Sequence, residues 1–454
     1  MRRTLGLASA LILLLATAAS ALPPEPTRPA ATRSDATPTT PAAPAKPEDR
    51  PLPGYTIADP VLPPALVGGE PARVLQGVHE RAAYAIEVPP RWNGRLVMWA
   101  HGYRGRGTSL VVDAPDYGLR HRLLDQGFAW AASSYYANGY HVKAGVESTH
   151  DLALRFAELV GEPSDVFIAG VSMGGHVIVR SLEQYPGFYR AALPMCGVLG
   201  DQELFDYVLD YQLVAQALAG VDAYPLPTDY PGAVVPKIKT ALGLYGTPNE
   251  LGEQFAAFVA GRSGGERPGV RAAFAHWKDF LFDLAVNPPS SEPALDPLRL
   301  ATNLDTRYAP NAPVDLERVV RRVAPRDAEA RRTPELTEVP RVDGRPSAPV
   351  LSLHGLGDLF VPFSMEQRYL GDVGAHGRSD LLVQRAIRTV GHCEFSPAEV
   401  GRAWDDLVHW ADAGTRPAGD VVDDPAVVAD PGYGCRFTDP AARGTGTREL
   451  FPAC

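Results

Sequence analysis

Read for its apolar positions, the chain first alternates between two kinds of segment. Residues 94–101 and 128–135 are continuous apolar runs of strand length, and Leu119 to Asp125 between them has helical spacing. Residues 146–160 repeat apolar side chains at the helical period, through Leu152, Leu154, Phe156, Leu159 and Val160. Asp165 to Gly170 reads as a buried strand, Gly175 to Gln184 as a helix and Arg190 to Met195 as a strand. Apolar strands joined by helices mean a mostly parallel sheet covered on both faces, because each crossover helix must pack back onto the sheet. The predicted class is α/β.

The alternation stops near residue 200 and resumes with a strand over 348–353. A helix over 365–370, a strand over 381–387 and a helix over 397–412 follow. Residues 201–347 carry helical patterns at Glu203–Leu218, Glu250–Val259 and Val270–Leu284, separated by loops. An insertion between two sheet strands emerges at one end of the sheet, so this segment is expected to form a largely helical cap over the site. The core is then 51–200 and 348–414, and 415–454 is a tail.

Composition adds a compartment. Arg2 and Arg3 precede a short apolar run from Leu5 to Ala18, and Ala19-Ser20-Ala21 fits a cleavage site, so residues 1–21 read as a secretory signal peptide, with an uncleaved anchor as the competing reading. Residues 22–50 are rich in Pro, Ala and Thr and read as a linker that cannot bury enough surface to fold. No later segment has the length and apolarity of a membrane span, so no stable membrane insertion is expected after cleavage. The 454 residues carry a formal net charge of −10, which speaks against nucleic acid as a partner. An exported chain with an even count of cysteines suggests disulfides. Cys435 with Cys454 would tie down the C-terminus, which leaves Cys196 with Cys393; two separate buried thiols are the alternative for the second pair. No spacing calls for a metal, nucleotide or other cofactor.

The chemistry centres on Gly170-Val171-Ser172-Met173-Gly174-Gly175, a G-x-S-x-G pattern between a buried strand and a helix. Glycines there let a tight turn close and lift the serine hydroxyl out of the sheet. A serine needs a base to take its proton. His392, in Val390-Gly391-His392-Cys393, follows the last predicted strand, and Asp358, in His354-Gly355-Leu356-Gly357-Asp358, follows the strand before it. Each of the three residues ends a different strand, at the edge where open parallel sheets collect ligands. Ser172 is the expected nucleophile, His392 the general base and Asp358 the acid that orients it. Expected oxyanion donors are the N–H of Met173 and, from His101-Gly102-Tyr103-Arg104, that of Tyr103 or Arg104. His354 is expected to shape the acid turn, His176 to pack, and Glu394 to be badly placed as an alternative acid.

These motifs, in this order, resemble the α/β-hydrolase superfamily over roughly 80–200 and 345–414. The resemblance implies a sheet flanked by helices, a helical cap and acyl-enzyme chemistry. The elbow resembles those of secreted esterases and prolyl-oligopeptidase-like enzymes. Cys393 beside the histidine is similar to the tannase and feruloyl-esterase family, where a disulfide ties the serine and histidine segments; here, however, Val171 rather than a cysteine precedes the serine. A Cys196–Cys393 bond would instead tether the histidine loop to a neighbouring strand end.

The leading expectation is a secreted serine hydrolase acting on a small or polymeric carboxylic ester. A serine peptidase or aminopeptidase is the runner-up, with Asp201, Glu203 or Asp206 available to hold a substrate amine. A catalytically silent binding protein is the third reading. The cap's many rings read mainly as its own core, and no feature specifies the natural ester or an oligomeric state.

Overall fold

The computed structural model of the chain describes residues 49–58, 60–284 and 296–454. The signal peptide expected over 1–21, and nearly all of the linker expected over 22–50, lie outside the described residues.

The main sheet comprises β1 (Arg73–His79), β2 (Ala82–Val88), β3 (Arg95–Ala100), β4 (Ala129–Ser133), β5 (Asp165–Val171), β6 (Ala191–Met195), β7 (Val350–Gly355) and β8 (Leu382–Ile387). Their spatial order is β1-β2-β4-β3-β5-β6-β7-β8. Strands β3 to β8 run parallel, whereas β2 is antiparallel to both of its neighbours. This order, with crossover helices on both faces, is the α/β-hydrolase fold.

Strands β3 to β8 fall where the apolar runs predict them. The β1–β2 pair is not anticipated. Every residue of β2 is buried, so it lacks the polar–apolar alternation of an edge hairpin, and Glu87 near its end is the one charged residue of the strand. Glu87 is in fact fully buried. Its carboxylate accepts from Arg120 Nε (2.7 Å), Trp130 Nε1 (2.8 Å) and Ala65 N–H (2.7 Å). A buried charge persists only when paired in this way.

Side chains leave the sheet alternately. Leu96, Met98 and Ile168 face a core shared with α2 (Val142–Leu159) and α3 (Met173–Gln184). Val97, Trp99, Phe167 and Ala169 face the opposite core, filled by α1 (Leu119–Asp125) and by Val400, Trp404 and Leu407 of a C-terminal helix, Pro397–Ala413. That helix begins sharply because Ser396 and Glu399 form a reciprocal capping box, with Pro397 at the first turn.

Between β6 and β7 the chain forms α4 (Glu203–Ala219), α5 (Glu250–Arg262) and α6 (Val270–Asp283), with short helical turns and extended loops around them. These helices pack around a core in which Tyr211, Phe255, Phe274 and Phe282 meet edge to face or stacked, and which continues into Leu359, Phe363 and Val390 beyond the insertion. Most insertion rings are thus packing residues, and Phe205, buried among them, also lines the cleft beside Ser172. Among the described residues no helix is long and apolar enough to cross a membrane.

Candidate active site

Ser172 sits between β5 and α3 with φ 57° and ψ −123°, a conformation that a non-glycine residue adopts only when its surroundings impose it. The glycines around it show why the motif is needed. A Cβ on Gly170 or Gly174 would lie 2.1 Å from the Ala100 carbonyl oxygen, and one on Gly175 would lie 2.4 Å from Gly197 Cα. The turn is then tied to the next strand: Ser172 N–H donates to Met195 O (3.0 Å), and Val198 N–H donates to Ser172 O (3.2 Å).

The structure brings the three separated residues together. His392 Nε2 is 2.9 Å from Ser172 Oγ, and His392 Nδ1 is 2.6 Å from Asp358 Oδ2. Asp358 is fully buried, and its other oxygen accepts the N–H groups of Phe360 and Val361, each at 3.0 Å. An imidazole held in this way presents Nδ1–H to the carboxylate and leaves Nε2 to accept the serine proton. Phe360 packs edge-on against the His392 ring, with centroids 4.9 Å apart.

The loop after β3 borders the serine. A Cβ on Gly102 would stand 3.0 Å from Ser172 Cβ and 3.6 Å from its Oγ. The backbone of Tyr103 and Arg104 continues from that contact, while Met173 opens α3 directly after the serine. The Tyr103 ring lines the cleft and the Arg104 guanidinium pairs with Asp113. His101 is buried, stacks on Tyr135 and has its pKa lowered to about 4 by burial, so it stays neutral.

Ser172 opens into a cleft walled largely by apolar side chains. Leu204, Phe205 and Val208 of α4 form one wall, Phe360 and Tyr140 others. Arg106 is the charged side chain among the described lining residues.

Other candidates have structural duties. His354 is buried between Val361 O (2.9 Å) and Glu366 Oε1 (3.2 Å), so it braces the acid turn. His176 is buried between Tyr140 Oη (3.0 Å) and Pro340 O (2.9 Å). Glu394 accepts from Thr389 Oγ1 (2.6 Å) and Thr447 N–H (3.0 Å). The three carboxylates considered for an amine site are already engaged. Asp201 accepts the N–H groups of Gln202 and Val342, Glu203 pairs with Arg262 and Arg368, and Asp206 pairs with Arg331. None of them lines the cleft that holds Ser172.

Disulfides join Cys196 to Cys393 and Cys435 to Cys454. The first links the end of β6 to the histidine loop. Cys196, Cys393 and His392 approach one another closely enough to suggest a metal site, but both sulfurs are consumed in the bond.

Four supports of the histidine and acid loops carried no signal in the sequence. Tyr117 Oη donates to Cys393 O (2.7 Å), and Trp277 Nε1 reaches Gly357 O (3.1 Å) and Val390 O (2.7 Å). Arg267, buried in the insertion, donates to Leu356 O (2.6 Å). Thr447 Oγ1 accepts Gly391 N–H (2.5 Å). Each is a lone side chain far along the chain from its partner, and no spacing rule selects it.

No family model matches the chain. The chain is 23% identical to o-phthalyl amidase from Xanthobacter agilis, a similarity spanning 82% of this chain and 92% of that protein. Among solved structures it is similar to feruloyl esterase B from Aspergillus oryzae, with a TM-score of 0.43 and 13% identity over 76% of this chain and 81% of that one. It is also similar to Est1E from Butyrivibrio proteoclasticus, with a TM-score of 0.39 and 12% identity over 75% and 99% of the two chains. The chain has the α/β-hydrolase fold.

Proposed function

We propose that the protein is an exported serine hydrolase that cleaves carboxylic esters through an acyl-enzyme. The observation that carries this reading is the Ser172–His392–Asp358 hydrogen-bonded series at the mouth of an apolar cleft. In the proposed reaction Ser172 Oγ attacks the acyl carbonyl as His392 Nε2 takes its proton. The N–H groups of Met173 and of Tyr103 or Arg104 receive the oxyanion. The imidazolium, stabilised by Asp358, gives its proton to the departing alcohol. His392 then deprotonates a water, which attacks the acyl carbon and releases the acid and Ser172. The disulfides suit an oxidising compartment and support export.

Cleavage of amides is the second reading, favoured by the similarity to o-phthalyl amidase. It needs the same residues, with His392 protonating an amine as it leaves. An aminopeptidase would need a carboxylate to hold the substrate amine, and Asp201, Glu203 and Asp206 are engaged with other partners away from the described cleft lining.

The test is hydrolysis of matched p-nitrophenyl acyl esters and acyl or aminoacyl p-nitroanilides by the purified protein and by Ser172→Ala. Ester turnover is expected, with a loss of about 10³-fold or more in Ser172→Ala. Turnover that survives the substitution would falsify the nucleophile assignment, and Ser172-dependent cleavage of anilides alone would replace the ester reading with the amide one.

A further inference from the structure

The turn carrying Asp358 and the loop carrying His392 leave neighbouring strands and stay paired beyond the sheet. Leu356 N–H donates to Ile387 O and Gly357 N–H to Thr389 O, both at 2.8 Å. The contact is tight: a Cβ on Gly357 would lie 2.8 Å from Val390 Cα. One step further, the carbonyls of Gly357 and Val390 meet a single donor, the indole Nε1–H of Trp277, at 3.1 Å and 2.7 Å. An indole nitrogen only donates, so both contacts are hydrogen bonds to carbonyls, shared by one proton.

The positions of those carbonyls matter. Asp358 directly follows Gly357, and His392 lies just beyond Val390 and Gly391. Movement of either carbonyl alters the 2.6 Å contact between Asp358 Oδ2 and His392 Nδ1. Proton transfer depends on that geometry, since a small misplacement far from the reacting atoms is enough to slow it. Trp277 belongs to α6, in the segment inserted between β6 and β7. On the same helix Phe280 packs against Phe360 at 5.0 Å between centroids, without a side-chain hydrogen bond to offer.

We infer that Trp277 is a positioning residue: its N–H clamps the acid turn and the histidine loop together, so the insertion sets the Asp358–His392 geometry as well as walling the cleft. This rests on the serine-hydrolase reading above. Trp277 acts through the two loops and touches no reacting atom.

The test uses the full chain and two probes. One is a fluorophosphonate, with label uptake followed by intact mass; the other is p-nitrophenyl butyrate, for kcat and KM. Trp277→Phe and Trp277→Tyr are made together, because neither ring places a donor at the indole nitrogen and one folded chain suffices. In either, labelling rate and kcat are expected to fall together by about tenfold or more, with KM within about twofold of wild type and the thermal midpoint little changed. Phe280→Leu trims the same helix face and is expected to lose less than about threefold. Wild-type labelling and kcat in the folded Trp277 variants overturn the inference, as does an equal loss in Phe280→Leu. Failure of the wild type to take up label at Ser172 overturns the serine-hydrolase reading and the inference with it.

Discussion

Ser172 and His392 meet across 2.9 Å, yet the two are held by different kinds of structure. The serine's position is a backbone conformation. It is imposed by glycines two or three residues away, by the start of α3 and by two hydrogen bonds, one to the last residue of β6 and one from Val198 just beyond it. The histidine's loop has no regular structure, and side chains from four distant segments hold it. Cys196 bonds to Cys393, Tyr117 donates to Cys393 O, Trp277 donates to Val390 O, and Thr447 accepts Gly391 N–H. A loop outside the sheet has backbone groups that the sheet does not satisfy, so it must recruit partners wherever the chain passes. One half of the site is therefore written locally, the other in tertiary contacts.

The sharpest way to break this comparison is Gly174→Ala. The added methyl would meet a backbone carbonyl at 2.1 Å, which cannot move aside without moving β3. Destabilisation of more than about 4 kcal/mol is expected, read as lost soluble yield or a lowered urea midpoint. A variant with the wild-type midpoint would show that the elbow is not sterically determined.

On the histidine side the effects should be graded. Thr447→Val keeps the shape of the side chain but removes the acceptor for Gly391 N–H and the hydroxyl beside Glu394. A loss of about 1–2 kcal/mol in stability is expected, with a severalfold fall in kcat. The tail around Thr447 is itself secured, by Arg448 on Glu399 and by the Cys435–Cys454 bond. Unchanged turnover and stability in Thr447→Val would mean that the tail merely lies over the loop.

The last effect is a matter of pH. Burial lowers the pKa of His176, on α3, to about 3, from an ordinary value of 6.5. The unfolded chain therefore takes up this proton first as pH falls. The contribution to stability is complete above the unfolded value and is lost as pH drops toward the folded one. Wild type should lose up to about 1.4 kcal/mol per pH unit more than His176→Gln on going from pH 7 to about pH 5. Burial also raises Asp206, to about 6, and that change acts in the opposite direction. It is common to both chains and cancels in the comparison. Parallel urea-stability curves for wild type and variant over this range would refute the assignment.

Much of the fold was legible because its signals are local. Strands β3 to β8 announce themselves as apolar runs, and the glycines around Ser172 mark the elbow. Asp358 and His392 were legible from their places after successive strands. The β1–β2 pair was not, because β2 hides a buried glutamate whose partners, Arg120 and Trp130, lie elsewhere in the chain. The carboxylates proposed as an amine site looked available in sequence and are engaged in space. A side chain's availability depends on what approaches it, which a one-dimensional pattern does not contain.

By itself, then, the sequence determined the α/β class, the order of the strands that carry chemistry, the strained turn at Ser172 and the identities of the residues that meet there. Each follows from steric demands or burial periodicity acting over a few residues. Only the tertiary structure decided that the insertion and the tail brace the histidine and acid loops, through Trp277, Arg267 and Thr447, and that the cleft beside Ser172 is apolar. Those outcomes depend on single hydrogen bonds and packed walls between segments far apart along the chain. Such contacts exist only once the sheet has brought the segments together.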